Sequence, residues 1–463
     1  MQQKTRVLWV VALAQALIAV DSTVMNVALP TLQAALGFDE TVSHWVITSY
    51  ALAFGAFLLP GARVVARIGA RRGLVWGGIL FGMASLVGGL AGSFELLILS
   101  RGAQGVAAAL IAPAALTALG ESFPSGVERV RAFGVYGAVG VAGMAAGLFL
   151  GGPLAQFLGW RSALLLLAVL AGVLVAGAVA SVPRSVQSRS RLLPARSVIL
   201  SVSGVFLVVL SLAILETAGV TAGLPLLALG LLLLTVLTWS ERRERDPLIP
   251  RVVFANRDRV ASLAVLGLGT AGLFAVFLFV VYYLQGPLGL DPVGSSLAIL
   301  PFPIVAALGS VFLAPVLGRI LGPRLTLVAA AALAAAGMGW IAVEAADANS
   351  VVALMPGIVL TAAGMGAIFA IAPDRATLGL DDGDRAAGSS LVHAVQQIGG
   401  AAGLALLSLL VSVSGVGSSP AVYQLVFTAT AVIFLVAAAA GAAAAWLPLK
   451  RNQLRASAPE QKA

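Results

Sequence analysis

The chain has 463 residues, of which 60% are hydrophobic and 10% charged, and its mean hydropathy is +1.03. A soluble protein cannot cover that much apolar surface, and a single soluble core stops growing at roughly 250–300 residues, so the expected surrounding is a lipid bilayer. The net charge is +9, there is no cysteine and the only histidines are His44 and His393; disulfides, thiolate chemistry and zinc–cysteine sites are excluded, and neither a metal nor a cofactor is expected.

The N-terminus reads Met-Gln-Gln-Lys-Thr-Arg and passes into an apolar run from Val7 to about Leu29. That run is long enough to span and other spans follow, so it is read as an uncleaved first helix rather than a leader peptide. A span needs roughly 20 mostly apolar residues. In chain order, candidates lie near 7–29, 44–62, 74–92, 96–119, 131–154, 162–182, 197–215, 221–239, 260–285, 295–317, 324–343, 351–373, 389–412 and 421–447. The pair within 197–239 is the least distinct, because two spans and one long hairpin give the same pattern.

The charges test this order. With a cytoplasmic N-terminus, all but two of the 28 Lys and Arg residues fall in inside loops, as the positive-inside rule requires. The exceptions, Arg101 and Arg161, lie at the outer ends of spans four and six, while Asp39, Glu40, Glu95, Asp291 and Asp347 fall outside. The basic residues thus read as an orientation signal for an inner membrane with both termini cytoplasmic, and not as a nucleic-acid surface. The longest polar stretches, about 183–196 and 240–259, bracket the uncertain pair.

The expected architecture is an all-α polytopic membrane protein of fourteen spans. A six-helix bundle occupies 1–182, and cytoplasmic linkers with two inserted helices (197–215, 221–239) occupy 183–259. A second six-helix bundle follows at 260–447, then a cytoplasmic tail at 448–463. A weak repeat supports paired bundles: Gly61-Ala-Arg-Val-Val-Ala-Arg-Ile-Gly-Ala-Arg71 follows span two, and Gly318-Arg-Ile-Leu-Gly-Pro-Arg324 follows span ten. Paired bundles around a midplane site are a common transporter plan.

Asp21 is the most informative residue. It lies about 14 residues into span one, roughly 21 Å up at 1.5 Å per residue. An acid at that depth costs at least about 2.5–3.5 kcal/mol against lipid and so faces the bundle interior or a water-filled cavity. Partly desolvated, it can take up and release a proton near neutral pH; the competing reading is a structural aspartate bonded to neighbouring groups. Arg101, about 8 Å below the outer end of span four, lies in the same half of the membrane and can pair with it. Protonation of Asp21 would weaken that pair and bias one conformation.

Gln104 follows Arg101 by one turn on the same face. Gln15, Gln104 and Asn26 are candidates for a polar cavity or for interhelical glue. In the second bundle Tyr282, Tyr283, His393, Gln396 and Gln397 are candidate cavity residues, with aromatic packing as the alternative for the tyrosines. The glycines Gly134, Gly137, Gly140, Gly143, Gly147, Gly151 and Gly152 are expected to mark one face of span five, for close packing or bending. Glu216, Glu344 and Asp374 fall near span ends and are expected to be solvated. There is no phosphate-binding loop, so ATP hydrolysis is not supported and an enzyme is not expected.

These segments resemble the major facilitator superfamily, in particular its fourteen-helix drug:proton antiporter branch, the multidrug efflux transporters of the quaternary-ammonium exporter type. Asp21-Ser-Thr-Val-Met-Asn-Val-Ala-Leu-Pro30 is similar to that branch's first-helix motif. Arg101-Gly-Ala-Gln-Gly105 with Pro113 is similar to its fourth-helix motif, and Asp246-Pro-Leu-Ile-Pro250 to the segment entering the second bundle. The loop after span two matches the family at Arg67, Gly69, Arg71 and Arg72, with Arg63 in the same basic cluster, but Ala66 stands where an aspartate of a cytoplasmic charge lock is expected. The span-five antiporter motif is matched at Gly143, Gly147, Gly151 and Gly152, while Leu148 replaces the family proline.

The resemblance implies proton-coupled export of amphipathic or lipophilic small molecules by alternating access, with Asp21 and Arg101 handling the proton and with no acid in span ten to favour dications. The expected partners are a small-molecule substrate, protons and lipid, and the expected state is a monomer. Two alternatives stay open: a specific metabolite, lipid or siderophore carrier of the same fold, working as uniporter or symporter, and a non-transporting membrane sensor.

Overall fold

The computed structural model describes residues 2–38, 45–124, 126–184, 195–218, 220–241, 256–290, 292–346, 350–380, 382–414 and 420–446. The expected tail at 448–463 lies outside these residues, as do the side chains of Asn26 and Leu148 and the surroundings of Gly152.

The first bundle comprises α1 (Gln2–Leu36), α2 (Trp45–Ile68), α3 (Ala70–Gly89), α4 (Phe94–Ser122), α5 (Gly126–Phe157) and α6 (Arg161–Ser181). The inserted pair is α7 (Ala195–Ala218) and α8 (Val220–Glu241). The second bundle comprises α9 (Arg257–Gln285), α10 (292–321), α11 (323–344), α12 (Val351–Thr377), α13 (Asp382–Ser414) and α14 (Pro420–Trp446). Local chemistry sets several starts: Ser93 accepts a bond from the Leu96 amide, Asn256 from Asp258 and Ser350 from Val352, each satisfying a donor left open in the first turn.

Eleven of the described helices are long and apolar enough to cross a bilayer. One of them, Leu297–Glu344, breaks at Gly322 into α10 and α11. With the helices Ala195–Ala218 and Asp382–Ser414 the described residues hold fourteen long helices, at the places where the sequence led us to expect fourteen spans. The inserted segment forms two full-length helices. Gly204 on α7 and Gly230 on α8 abut, so a Cβ on Gly230 would sit 3.0 Å from the Gly204 carbonyl. The pair leans on the first bundle through Val205 and Val209, which pack on Leu52 and on Gly55 of α2. Most helices run past their apolar runs, because the polar ends continue the helix beyond the hydrophobic slab.

The two bundles repeat one another in packing as well as in sequence. In the first, α1 packs on α5 and α6, α2 on α4, and α3 on α4 and α6. In the second, α9 packs on α13 and α14, α10 on α12, and α11 on α12 and α14. The repeated loops turn on equivalent glycines: Gly69 has φ 88, ψ 155 and Gly322 has φ 76, ψ 160. That region is open essentially to glycine alone, which explains why Gly is kept in both copies. Arg71, two residues after Gly69, donates to the Val179 carbonyl of α6 at 2.6 Å. Arg324, two residues after Gly322, donates to Asp258 of α9 at 2.8 Å, and Arg375 joins it there.

The bundles meet through α5 against α10 and α12, and through α13 against α2 and α4. A Cβ on Gly134 would lie 2.7 Å from the Ser310 carbonyl, and one on Gly137 the same distance from the Phe369 carbonyl. Gly140, Gly143 and Gly147 instead meet Gln15, Ala19 and Thr23 of α1. The glycine run therefore serves two faces rather than the single face expected. Its first turns let the second bundle approach, and its later turns seat α1. Next to Gly134, α10 carries a π-helical turn, Gly309–Leu313, whose Ser310 hydroxyl donates to the Gly366 carbonyl of α12; such turns are frequent at functional positions.

Candidate functional site

Asp21 and Arg101 are among the most buried side chains of the protein, 0% and 1% exposed, and they are paired at 2.5 Å. Three helices build the site. α1 carries Asp21, α4 carries Arg101, and α2 supplies the surroundings. Arg101 donates through Nη1 to Asp21 and to Gln104 (2.7 Å), and through Nε to the Val46 carbonyl of α2 at 3.1 Å. Gln104 passes the chain on to the Ser85 hydroxyl of α3 at 2.8 Å, and Ser85 donates to the Phe81 carbonyl. The guanidinium lies 4.7 Å from the Tyr50 ring centroid, a cation–π contact worth about 2 kcal/mol when desolvated.

Gly105 explains how the backbones come so close. A Cβ there would collide with the Tyr50 carbonyl and lie 2.8 Å from the Phe54 amide, so only glycine lets α4 touch α2 where Arg101 must reach Val46. Gln104 and Gly105 of the Arg-Gly-Ala-Gln-Gly segment are thus fixed by contacts that hold the arginine.

The pair is incompletely satisfied. Asp21 Oδ2 and the Tyr50 hydroxyl are buried beside one another, close enough to interact yet outside hydrogen-bond geometry, and neither has another partner among the described residues. A buried acceptor left open in this way costs free energy unless it is protonated or wetted. The arrangement can therefore hold either a charged Asp21 clamped by Arg101 or a protonated Asp21 that donates from its free oxygen.

Other expected residues fall in different places. Gln15 is buried between α1 and α5 at Gly140, with Oε1 unpartnered. His393 is 5% exposed and stands at the contact between bundles, its Nε2 3.0 Å from the Tyr136 hydroxyl of α5 and its ring 6.3 Å from Phe54 of α2. Gln396 and Gln397 are half-buried one turn further along α13. Tyr282 is half exposed. Tyr283 is packed inside the second bundle, with its hydroxyl on the Ala345 carbonyl and its ring against Tyr423 and Phe427. In the basic cluster Arg63 is buried, Arg67 and Arg72 are exposed, and Arg71 ties α3 to α6.

Asp374 corrects the sequence reading. It was expected to be solvated at a span end, yet it is 7% exposed and paired at 2.5 Å with Arg129, itself 3% exposed. Arg129 also donates to the Thr377 hydroxyl (3.0 Å) and the Phe123 carbonyl (3.2 Å) and stacks on Phe133. Since Arg129 belongs to α5 and Asp374 to α12, this ion pair joins the bundles at the membrane face where α1 begins. Sequence position gives a residue's height along its own helix and nothing about the helix that covers it. The only hint was an acid and an arginine at matching heights on α12 and α5. Ala66, which stands where the resemblance led us to expect an aspartate, is buried.

Comparison with known proteins agrees with this architecture. The family described as Major Facilitator Superfamily matches residues 11–373 and, in an overlapping second match, 262–463. The chain is 40% identical over 403 residues to the puromycin resistance protein pur8 of Streptomyces alboniger, covering 86% of this chain and 80% of that one. It is 34% identical over 416 residues to the cephamycin export protein CmcT of Amycolatopsis lactamdurans, covering 88% and 85%. Among solved structures, the human organic anion transporter MFSD10 (TETRAN) superimposes with a TM-score of 0.69 over 95% of this chain and 99% of that one, at 15% identity, a likeness of fold. The two repeated six-helix bundles, the inserted pair and the matches along the whole chain lead to one conclusion: the chain belongs to the Major Facilitator Superfamily and is a multi-pass membrane transporter, not an enzyme.

Proposed function

We propose that the protein is a proton-coupled exporter of amphipathic or lipophilic small molecules, working as a monomer in the cytoplasmic membrane with both termini inside. The observation that carries this reading is the Asp21–Arg101 pair, fully buried in the first bundle with one carboxylate oxygen unpartnered. Charged, the pair is clamped. Protonation of Asp21 removes the attraction, leaves Arg101 held by Gln104 and Val46 alone, and changes what α1 and α4 prefer as neighbours. A ligand or proton shifts a conformational equilibrium only as far as it favours one state over the other, and loss of a buried charge pair is a large term of this kind, about 3–5 kcal/mol. Alternating access then follows from rocking of the two bundles, with the Arg129–Asp374 pair closing the cytoplasmic side.

Export rather than import is supported by the several relatives that are named for resistance or export. Three of them are each named for one antibiotic, puromycin, cephamycin or lincomycin, at 40%, 34% and 29% identity, against one named a multidrug resistance protein at 28%, and this favours a narrow cargo range over a broad multidrug one. The test is efflux of ethidium and of puromycin from cells lacking their major pumps. The reading expects puromycin efflux that collapses with the pH gradient and is lost in Asp21→Asn. Full gradient-driven efflux in that variant removes the mechanism, and efflux of ethidium equal to that of puromycin removes the narrow range.

A further inference from the structure

The buried ion pair lies wholly within the first bundle, and rocking requires that its state be felt by the second. One continuous set of contacts makes that connection. Arg101 stacks on the Tyr50 ring at 4.7 Å. Tyr50 and Phe54, one turn apart on α2, have ring centroids 5.8 Å apart. Phe54 meets the His393 ring of α13 at 6.3 Å. His393 then bonds the Tyr136 hydroxyl of α5 at 3.0 Å, the two rings standing edge to face. All four of Tyr50, Phe54, Tyr136 and His393 are at most 5% exposed.

We infer that Tyr50, Phe54 and His393 are positioning residues that carry the charge state of Asp21 to the second bundle. The inference rests on the proton-coupled reading above and adds the route. When Asp21 takes up a proton, Arg101 loses the partner that fixes it over Tyr50. The Tyr50 ring touches both that guanidinium and the Phe54 ring, so a shift of the guanidinium alters how α2 presents Phe54 to α13. His393 is the first side chain of the second bundle along this line, and its bond to Tyr136 makes the α2–α13–α5 junction directional rather than a smooth apolar contact. Among the described residues, the charged or titratable groups facing Asp21 from the helices packed around it are Arg101 on α4 and Tyr50 on α2, and the one facing His393 is Tyr136 on α5.

The absence of cysteine lets two spin labels be placed on the otherwise unaltered full chain, at exposed Val127 of α5 and exposed Ile320 of α10. The distance between them, read by pulsed electron resonance in nanodiscs across a pH series, reports opening on the side where α1 begins. The labelled chain should show a pH-dependent shift that Asp21→Asn abolishes. Phe54→Leu and His393→Leu should lose that shift while remaining folded by thermal melt, Phe54→Tyr should restore it by keeping the ring, and Phe57→Leu, on the exposed side of the same helix, should leave it intact. A Phe54→Leu chain that titrates like its parent while Asp21→Asn does not would overturn the route and leave the proton-coupled reading standing. A shift that persists in Asp21→Asn would overturn both.

Discussion

Replacing Asp374 by Asn removes one charge of the pair that joins the two bundles and should open the side of the protein where α1 begins. Arg129 would keep its bonds to Thr377 and Phe123 and its stacking on Phe133, yet it would be left as a charge 3% exposed without a counter-ion. Breaking a buried pair by removing one partner costs about 3–5 kcal/mol. The pair bridges α5 and α12, so the whole of that cost falls on the closed arrangement and none on an arrangement in which the bundles have parted there. Even the lower figure moves the equilibrium by about a hundredfold, enough to bring a protein resting at about 99:1 close to an even mixture. Labels at Val127 and Ile320 read the two populations directly as two distances. Asp374→Asn should raise the long-distance population, and the exchange Arg129→Asp with Asp374→Arg should return most of it. An unchanged distance distribution in Asp374→Asn would refute the reasoning, because the pair would then contribute nothing to closure.

Other expectations follow from the same contacts. Gly105→Val drives a side chain into the Tyr50 carbonyl of α2; overpacking of this kind costs about 1–3 kcal/mol, and a lower melting temperature together with lost transport is expected, whereas Gly102→Ala, with open space around it, should melt as the parent does. Arg101→Lys retains the charge and cannot reproduce the three acceptors and the stacked ring, so gradient-driven efflux should fall while expression is retained; wild-type efflux would argue that only charge is needed. Tyr283→Phe removes one bond to Ala345 inside a packed aromatic cluster, about 1 kcal/mol of stability, and should leave the cargo range unchanged in a resistance profile.

The fold was legible in the sequence because a bilayer imposes a simple rule. Apolar runs must be long enough to span, and their positions located the helices; the glycines of the repeated loops proved to share one backbone conformation at Gly69 and Gly322. Asp21 and Arg101 were legible because a charge deep in a span demands a partner, and their heights along α1 and α4 agreed. The Arg129–Asp374 pair was not legible. Near a helix end an acid and a basic residue are each cheap in water, so nothing in their own segments signals that a second bundle will cover them. The ring series from Tyr50 to His393 was hidden for another reason: an aromatic residue in a span is satisfied by packing, and only the three-dimensional order of α2, α13 and α5 distinguishes a connecting ring from an ordinary core one. The split duty of the span-five glycines was equally hidden, since spacing shows a small-residue stripe and not which neighbour each glycine admits.

The account stands or falls on whether Asp21 exchanges its proton in step with cargo. Purified protein reconstituted into liposomes that hold a pH-sensitive dye should show a puromycin-dependent proton flux opposite to cargo movement, and Asp21→Asn should bind puromycin yet move no protons. Puromycin transport by the wild-type protein with no accompanying proton movement, or an undiminished proton flux in Asp21→Asn, would contradict it.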